Sequence, residues 1–325
     1  MPASETQEPN RLAGMAAVVV TLPFLPALAE AFRLTQANGL QNYTPLVPLI
    51  AAYLGWKGCP HSAGESRSPA EAALRQTVAT EDPREHPRLH RSSWCRWWDL
   101  PLGLKVAAPS TAAASLVAAR LATDPALAAG LRVVAWVGLL AGVLGFTLGR
   151  EGFARWRLPV FLLLFIAPLP HAVVAACEAT LQHGSAACAR LLLEAYGTPV
   201  HLDRLTLHLR GMTLWVAPEC SGLRSSLVLL FLTAIAAGTL LRTPFARVTL
   251  VAAVVPIAIA RNGLRIFVIG SMCVEEGPVA LDSLLHRQGG PVFFAVSLVP
   301  WTLLLFVLCR YENSARRPAS VSQET

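Results

Sequence analysis

Long apolar blocks, each able to span hydrocarbon, constrain this chain more than any other feature. Eight run near residues 12–30, 43–56, 101–123, 126–148, 158–176, 221–241, 248–269 and 291–309, and a helix crosses a bilayer with about 20 such residues. The second is short and the third carries Lys105, so these two are the least regular. Charged residues make up only 14% of the 325, and hydrophobic ones 54%; soluble domains carry about 25% charge. The expected fold is all-α: one polytopic membrane domain over 1–325, with about eight transmembrane helices.

Orientation follows from where the basic residues fall. With the N-terminus inside, the inner segments hold 16 of the 27 Lys and Arg, including seven in 57–98 and three in the tail 310–325. The outer segments hold five: Arg33, Arg190, Arg204, Arg210 and Arg287. Both termini are therefore expected in the cytoplasm of a cell inner or plasma membrane. The net charge of +7 reflects this asymmetry, and no nucleic-acid surface is expected. Small residues at Ala27–Ala29 resemble a signal-peptide cleavage site, but Glu5 and Glu8 stand where such peptides are basic. The first block reads as a retained helix.

The connecting segments differ in chemistry. Residues 57–98 are rich in Pro, Ser, Arg and Glu and read as a flexible cytoplasmic loop. Their Cys59, His61, His86, His90 and Cys95 fit no zinc spacing, so neither metal nor cofactor is expected. Residues 177–219 read as a small extracytoplasmic cap. "ACARLLLEAYG" has the spacing of a short interfacial helix, and "VHLDRLTLHLRGMTLWVA" alternates around "RG" like a hairpin of two half-buried strands. Cys177 and Cys188 would lie about 16 Å apart along one helix, too far to bridge.

Chemistry-bearing residues concentrate at one depth. Cys220 opens the sixth block, while the seventh contains "IARNGLRIFVIG" with Arg261, Asn262 and Arg265. An arginine inside a membrane span is expensive and is usually paired or functional. At helical rise Arg265 falls near the outer boundary, level with Cys220, and Arg261 about 6 Å deeper. Asn262 shares the face of Arg265. His286, in "LLHRQGGPVFF", precedes the last block at the same level. Glu219 adjoins Cys220, and Arg224 follows it by one helical turn.

The blocks "VAPECSGLRSSLVLL", "RNGLRIFVIG" and "HRQGGPVFF" resemble those of the exosortase/archaeosortase family of membrane cysteine proteases and transpeptidases. The segments "NYTPLVPLIAAYLGW", "LPVFLLLFIAPLP" and "LLLEAYGTPV" are also similar, so the resemblance runs from about Asn42 to Leu308. It implies a catalytic set of Cys220, Arg265 and His286, with Asn262, Arg224, Glu219 and Arg261 around it and Arg261 the rival to Arg265 for the catalytic place. It implies as partners secreted proteins whose C-terminal sorting signal comprises a short motif, a hydrophobic helix and a basic tail. An envelope acceptor of unknown kind would receive them by way of a thioester, and membrane lipid surrounds the enzyme. The 57–98 loop is longer than the family pattern, and the tail is too short for the soluble domain some members carry. A multi-pass transporter with an Arg-lined outer cavity, or another membrane acyltransferase, is the alternative. A transporter would keep its function with Cys220 replaced by Ala.

This topology is testable by thiol labelling of single-cysteine variants in whole cells. Positions 200–215 and 275–288 should label from outside, and 60–95 and 315–320 only after permeabilisation. Labelling of 275–288 from the cytoplasm, with 200–215 outside, would separate His286 from Cys220 and refute the arrangement.

Overall fold

The computed structural model describes residues 7–57, 102–217, 221–277 and 290–314. The expected cytoplasmic loop and tail lie almost wholly outside these residues. The described chain is predominantly helical and falls into two compact units, Met1–Ala37 with Tyr43–Pro168, and Asn38–Asn42 with Leu169–Thr325.

In the first unit, α1 (Gln7–Thr21) and α2 (Leu25–Asn38) are joined by a 3-10 turn at Leu22–Phe24. They are followed by α3 (Leu46–Lys57), α4 (Leu102–Leu121) and α5 (Pro125–Leu162). Asp124 caps α5 by accepting from the amide of Ala126 at 2.8 Å, and Pro125 occupies the first turn, where its missing N–H is harmless. Gly149 breaks α5 internally at φ 69° and ψ −174°, a conformation open to glycine. Two polar contacts tie the first helices to α5: Trp136 Nε1 donates to Thr21 Oγ1 at 3.1 Å, and Arg132 pairs with Glu30 at 2.6 Å. Near the other end of α5, Arg155 donates to the carbonyls of Gly55 and Trp56, satisfying terminal acceptors of α3.

The expected span 158–176 is not one helix. After α5 the chain makes a 3-10 turn at Leu163–Ile166 and leaves helical geometry at Ala167 (φ −62°, ψ 123°). Pro168 and Pro170 explain the break, since each lacks an N–H and disfavours helix in the residue before it. The intervening Leu169 amide donates to Gln41 Oε1 at 3.3 Å. Helix α6 then runs unbroken from His171 to Ala195. The short interfacial helix expected in "ACARLLLEAYG" is therefore the C-terminal part of a 25-residue helix, and residue 177 marks no boundary.

Past α6 lies a three-stranded antiparallel sheet of β1 (His201–Asp203), β2 (Thr206–Leu209) and β3 (Met212–Trp215), in that order. The turn at Arg210–Gly211 joins β2 to β3, with Gly211 at φ +84° and Leu209 opposite Met212. β1 is a strand beyond the expected hairpin. Leu207 and Leu209 are buried while His208 between them is exposed, the alternation of a half-buried strand. The two leucines pack with Ala186, Ala189 and Leu193 of α6, with Val216, and with Ile266.

The remaining helices are α7 (Leu223–Thr239), α8 (Pro244–Ala252), α9 (Val254–Glu276) and α10 (Gly290–Ser314). Small residues bring α6 and α9 together. A Cβ on Gly263 would lie 2.6 Å from Cys188 Sγ, and one on Gly184 would lie 2.7 Å from Ile259 Cδ1. Such close approach is how helices associate where lipid removes the hydrophobic drive between them. Trp301 Nε1 of α10 donates to the buried Thr233 Oγ1 of α7 at 2.9 Å. Four segments are long and apolar enough to cross a bilayer, namely Arg11–Asn38, Pro125–Gly149, Pro244–Glu275 and Gly290–Ser314. Leu46–Lys57 and Leu223–Thr239 are apolar but shorter. These counts are of the described residues.

Glu312 fixes the turn between α7 and α8. Its carboxylate accepts from the Thr243 amide at 2.7 Å, the Thr243 hydroxyl at 2.6 Å and the Arg242 amide at 3.0 Å. Thr243 in turn caps α8 through the Ala246 amide at 3.3 Å. Glu312→Ala should lower stability by about 2 kcal/mol, because it strands these donors beside a buried site. Glu312→Gln, which keeps an acceptor oxygen, should lose less. Thermal unfolding of the purified protein in detergent, followed by helical circular dichroism, checks both.

Candidate functional site

The site is built from the start of α7 and the middle of α9. Gly222 precedes α7 at φ 74° and ψ 11°, a left-handed conformation that costs other residues about 1–2 kcal/mol. This geometry turns its carbonyl into a focus of donors. The carbonyl accepts from the Ser226 amide at 3.0 Å, the Ser225 hydroxyl at 3.0 Å and the Ser226 hydroxyl at 2.9 Å. Arg261 Nη2 reaches the same oxygen at 2.9 Å and Ser226 Oγ at 3.4 Å. Leu223 N donates to the buried Ser221 Oγ at 3.3 Å.

Arg261 is only 5% exposed, and its Nη1 is buried with no acceptor among the described residues. Its charge meets carbonyl and hydroxyl dipoles; no carboxylate pairs with it among the described residues. Asn262 is 2% exposed and borders the same glycine, since a Cβ on Gly222 would lie 3.3 Å from Asn262 Oδ1 and 2.6 Å from Arg261 Nη2. Arg265 follows Arg261 by one turn on the same face and is half-buried. Its neighbour Ile266 packs beside Val216, whose carbonyl accepts from Gln182 Nε2 at 3.1 Å. Arg224 is exposed, and its guanidinium lies over Gly39, 3.0 Å from where a Cβ would stand.

Of the residues singled out in the sequence, Arg261, Asn262, Arg265 and Arg224 are therefore placed on or near one helix start. Cys220, Glu219 and His286 lie outside the described residues. Three contributors escaped sequence reasoning: Gly222, Ser226 and Gln182. A glycine directly before an apolar helix was the only available hint for Gly222, and nothing local marks Gln182 as the partner of a carbonyl 34 positions away. Among the described residues no cluster of His, Cys, Asp or Glu is arranged to hold a metal. Cys177, Cys188 and Cys309 are free thiols.

Helix starts concentrate positive potential through their unsatisfied N–H groups. Here a buried guanidinium is added to one. The combination suits an anion, whether a deprotonated nucleophile or an oxygen gaining charge in a reaction. Fold and site together define a multi-helix membrane protein with a buried arginine at a helix start. Over residues 35–303 the chain matches the family described as transmembrane exosortase (Exosortase_EpsH), and it belongs to that family. It is thus an integral membrane protein and, in general terms, a sorting transpeptidase or protease. No curated protein and no solved structure matches it significantly.

The role of Gly222 can be separated from backbone strain alone. Gly222→Ala adds both a left-handed alanine and a clash with Arg261 and Asn262. Gly197→Ala adds only the former, because φ is +87° there and nothing lies within 4 Å of a Cβ. Both should lower the unfolding midpoint in detergent, Gly222→Ala by clearly more. Equal shifts would mean that the Gly222–Arg261 contact contributes little.

Proposed function

We propose that this chain is a membrane cysteine transpeptidase in which Cys220 is the nucleophile, Arg265 stabilises charge and His286 transfers the proton. It acts on secreted proteins that carry a C-terminal sorting signal. The supporting observation is the buried Arg261, without a carboxylate partner among the described residues, held against Gly222, two residues after Cys220 in sequence. On the other side, Val216 is anchored beside Ile266, the neighbour of Arg265. Val216 and Gly222, which flank Cys220 in sequence, each lie beside α9.

Positive potential at a helix start lowers the pKa of a nearby thiol. The Cys220 thiolate attacks the carbonyl carbon of the scissile peptide, giving a tetrahedral oxyanion. Two parallel hydrogen bonds from the planar Arg265 guanidinium suit that oxyanion, whereas an ammonium cannot supply them. Collapse expels the amine, which takes a proton from His286, and leaves a thioester on Cys220. His286 then removes a proton from the acceptor, whose attack releases the product and restores the thiol. Arg261, occupied by the Gly222 carbonyl, positions the start of α7. Glu219 and Arg224 flank Cys220 as supporting groups.

Cys220→Ala should abolish processing of a tagged substrate, which then accumulates uncleaved in the membrane, while the enzyme itself still inserts. Cys273→Ala, at a buried site on α9, should be nearly silent. A hydroxylamine-sensitive enzyme–substrate adduct should form with wild type and not with Cys220→Ala. Wild-type processing by Cys220→Ala would exclude nucleophilic catalysis and favour a transporter. Arg265→Lys should lose at least about a hundredfold in rate, the scale of a lost oxyanion donor. Arg261→Lys should lose less, since an ammonium still donates to a carbonyl. The reverse order would transfer the charge-stabilising role to Arg261.

A further inference from the structure

The first unit contains a cavity of about 700 Å³ between α1, α3 and α5. Its walls are open because facing positions are small: Ala13, Gly14 and Ala17 on α1, and Ala51 and Ala52 on α3, while Gly55 makes room for the Trp156 ring. A Cβ on Gly14 would meet nothing within 4 Å, so the space is not filled from that side. Gly14 and Ala52 are exposed, which makes the cavity a crevice open to the surroundings of the helices. Apolar walls offer water few partners, and cavities of this kind stay dry. In a bilayer the available filler is hydrocarbon.

One end of the crevice has a different chemistry. Arg155 lines it, with its guanidinium held by the Gly55 and Trp56 carbonyls and still exposed. Trp56 and Trp156 line the same end, and Trp56 is 78% exposed. Lys57, next to Trp56, is exposed, with its ammonium 5.3 Å above the Tyr53 ring. Tryptophans and cations together mark the headgroup level of a membrane, and basic pockets between helices select anionic headgroups. A transmembrane peptide bearing basic residues at this end would be repelled, and so would a second copy presenting the same cations. An anionic lipid meets both halves of the site.

We propose that this crevice binds one anionic phospholipid, with an acyl chain between α1, α3 and α5 and its phosphate at Arg155 and Lys57. The site is independent of the chemistry assigned to Cys220, and its test requires no turnover. The full-length protein, exchanged from detergent into vesicles of phosphatidylglycerol or of phosphatidylcholine and extracted again, is examined by native mass spectrometry. Wild type should retain one phosphatidylglycerol and markedly less phosphatidylcholine. Arg155→Gln should reduce that preference about fivefold, the effect of one basic residue on an anionic lipid. Gly14→Leu and Ala52→Leu project into open space and should abolish retention of both lipids while elution volume and helical content stay unchanged. Two variants on different helices guard against one failing to fold. Absence of retained lipid, equal retention of the two lipids by wild type, or undiminished retention in both leucine variants would overturn the proposal. Loss of a chain dimer on filling the crevice would identify a second copy as the occupant instead.

Discussion

The hydrogen bond from Arg261 to the Gly222 carbonyl is the constraint around which the second unit is organised. A cation has been placed at a helix start, where the backbone already contributes positive potential. The two sources repel each other, and among the described residues no carboxylate offsets them. Such an arrangement persists only if other forces hold it. Gly222 adopts a left-handed conformation that aims its carbonyl at the guanidinium, and the serines of α7 gather on the same oxygen. Gly263 and Gly184 let α9 press against α6, which fixes the helix that carries the arginine.

The start of α8 gives the opposite case within the same unit. There a carboxylate, Glu312, meets the amides of Arg242 and Thr243, so the helix field and the side-chain charge have complementary signs. That end is electrostatically satisfied and acts as a fastening between α10 and the α7–α8 turn. One helix start thus meets a carboxylate, and the other, among the described residues, meets a cation.

Much of this was legible in the sequence, for physical reasons that differ by residue. Arg261, Asn262 and Arg265 share a helix face because three- and four-residue spacing places them there, and an arginine inside an apolar block draws attention by its expense. The turn at Arg210–Gly211 was legible from alternation on both sides of a glycine. The break at Ala167–Pro170 was passed over because apolar continuity outweighed two prolines, although their missing N–H groups leave the helix no way through. The third strand was hidden because three residues, His201–Asp203, are too few to display a period. The Gly222 contact was not legible at all: its partner lies 39 positions away, and only the folded chain brings the two together.

The length of α7 has a consequence for the reaction medium. Its 17 residues rise about 25 Å, against about 30 Å for an average hydrocarbon core. Lipid around a short element thins, or the element's polar end sits recessed beneath the headgroups. The start of α7, with Gly222 and Arg261, is the polar end, and a 17-residue span would set it in a depression of the hydrophobic profile. Entry of water into that depression is governed by the host bilayer as much as by the protein. On the mechanism proposed for Cys220, a thin membrane would expose the acyl-enzyme to solvent and to hydrolysis, and a thick one would screen it and favour transfer to a dissolved or lipid-borne acceptor. On that proposal, bilayer thickness would act as a partition coefficient between protease and transpeptidase behaviour, set by a helix about one turn short of a full span.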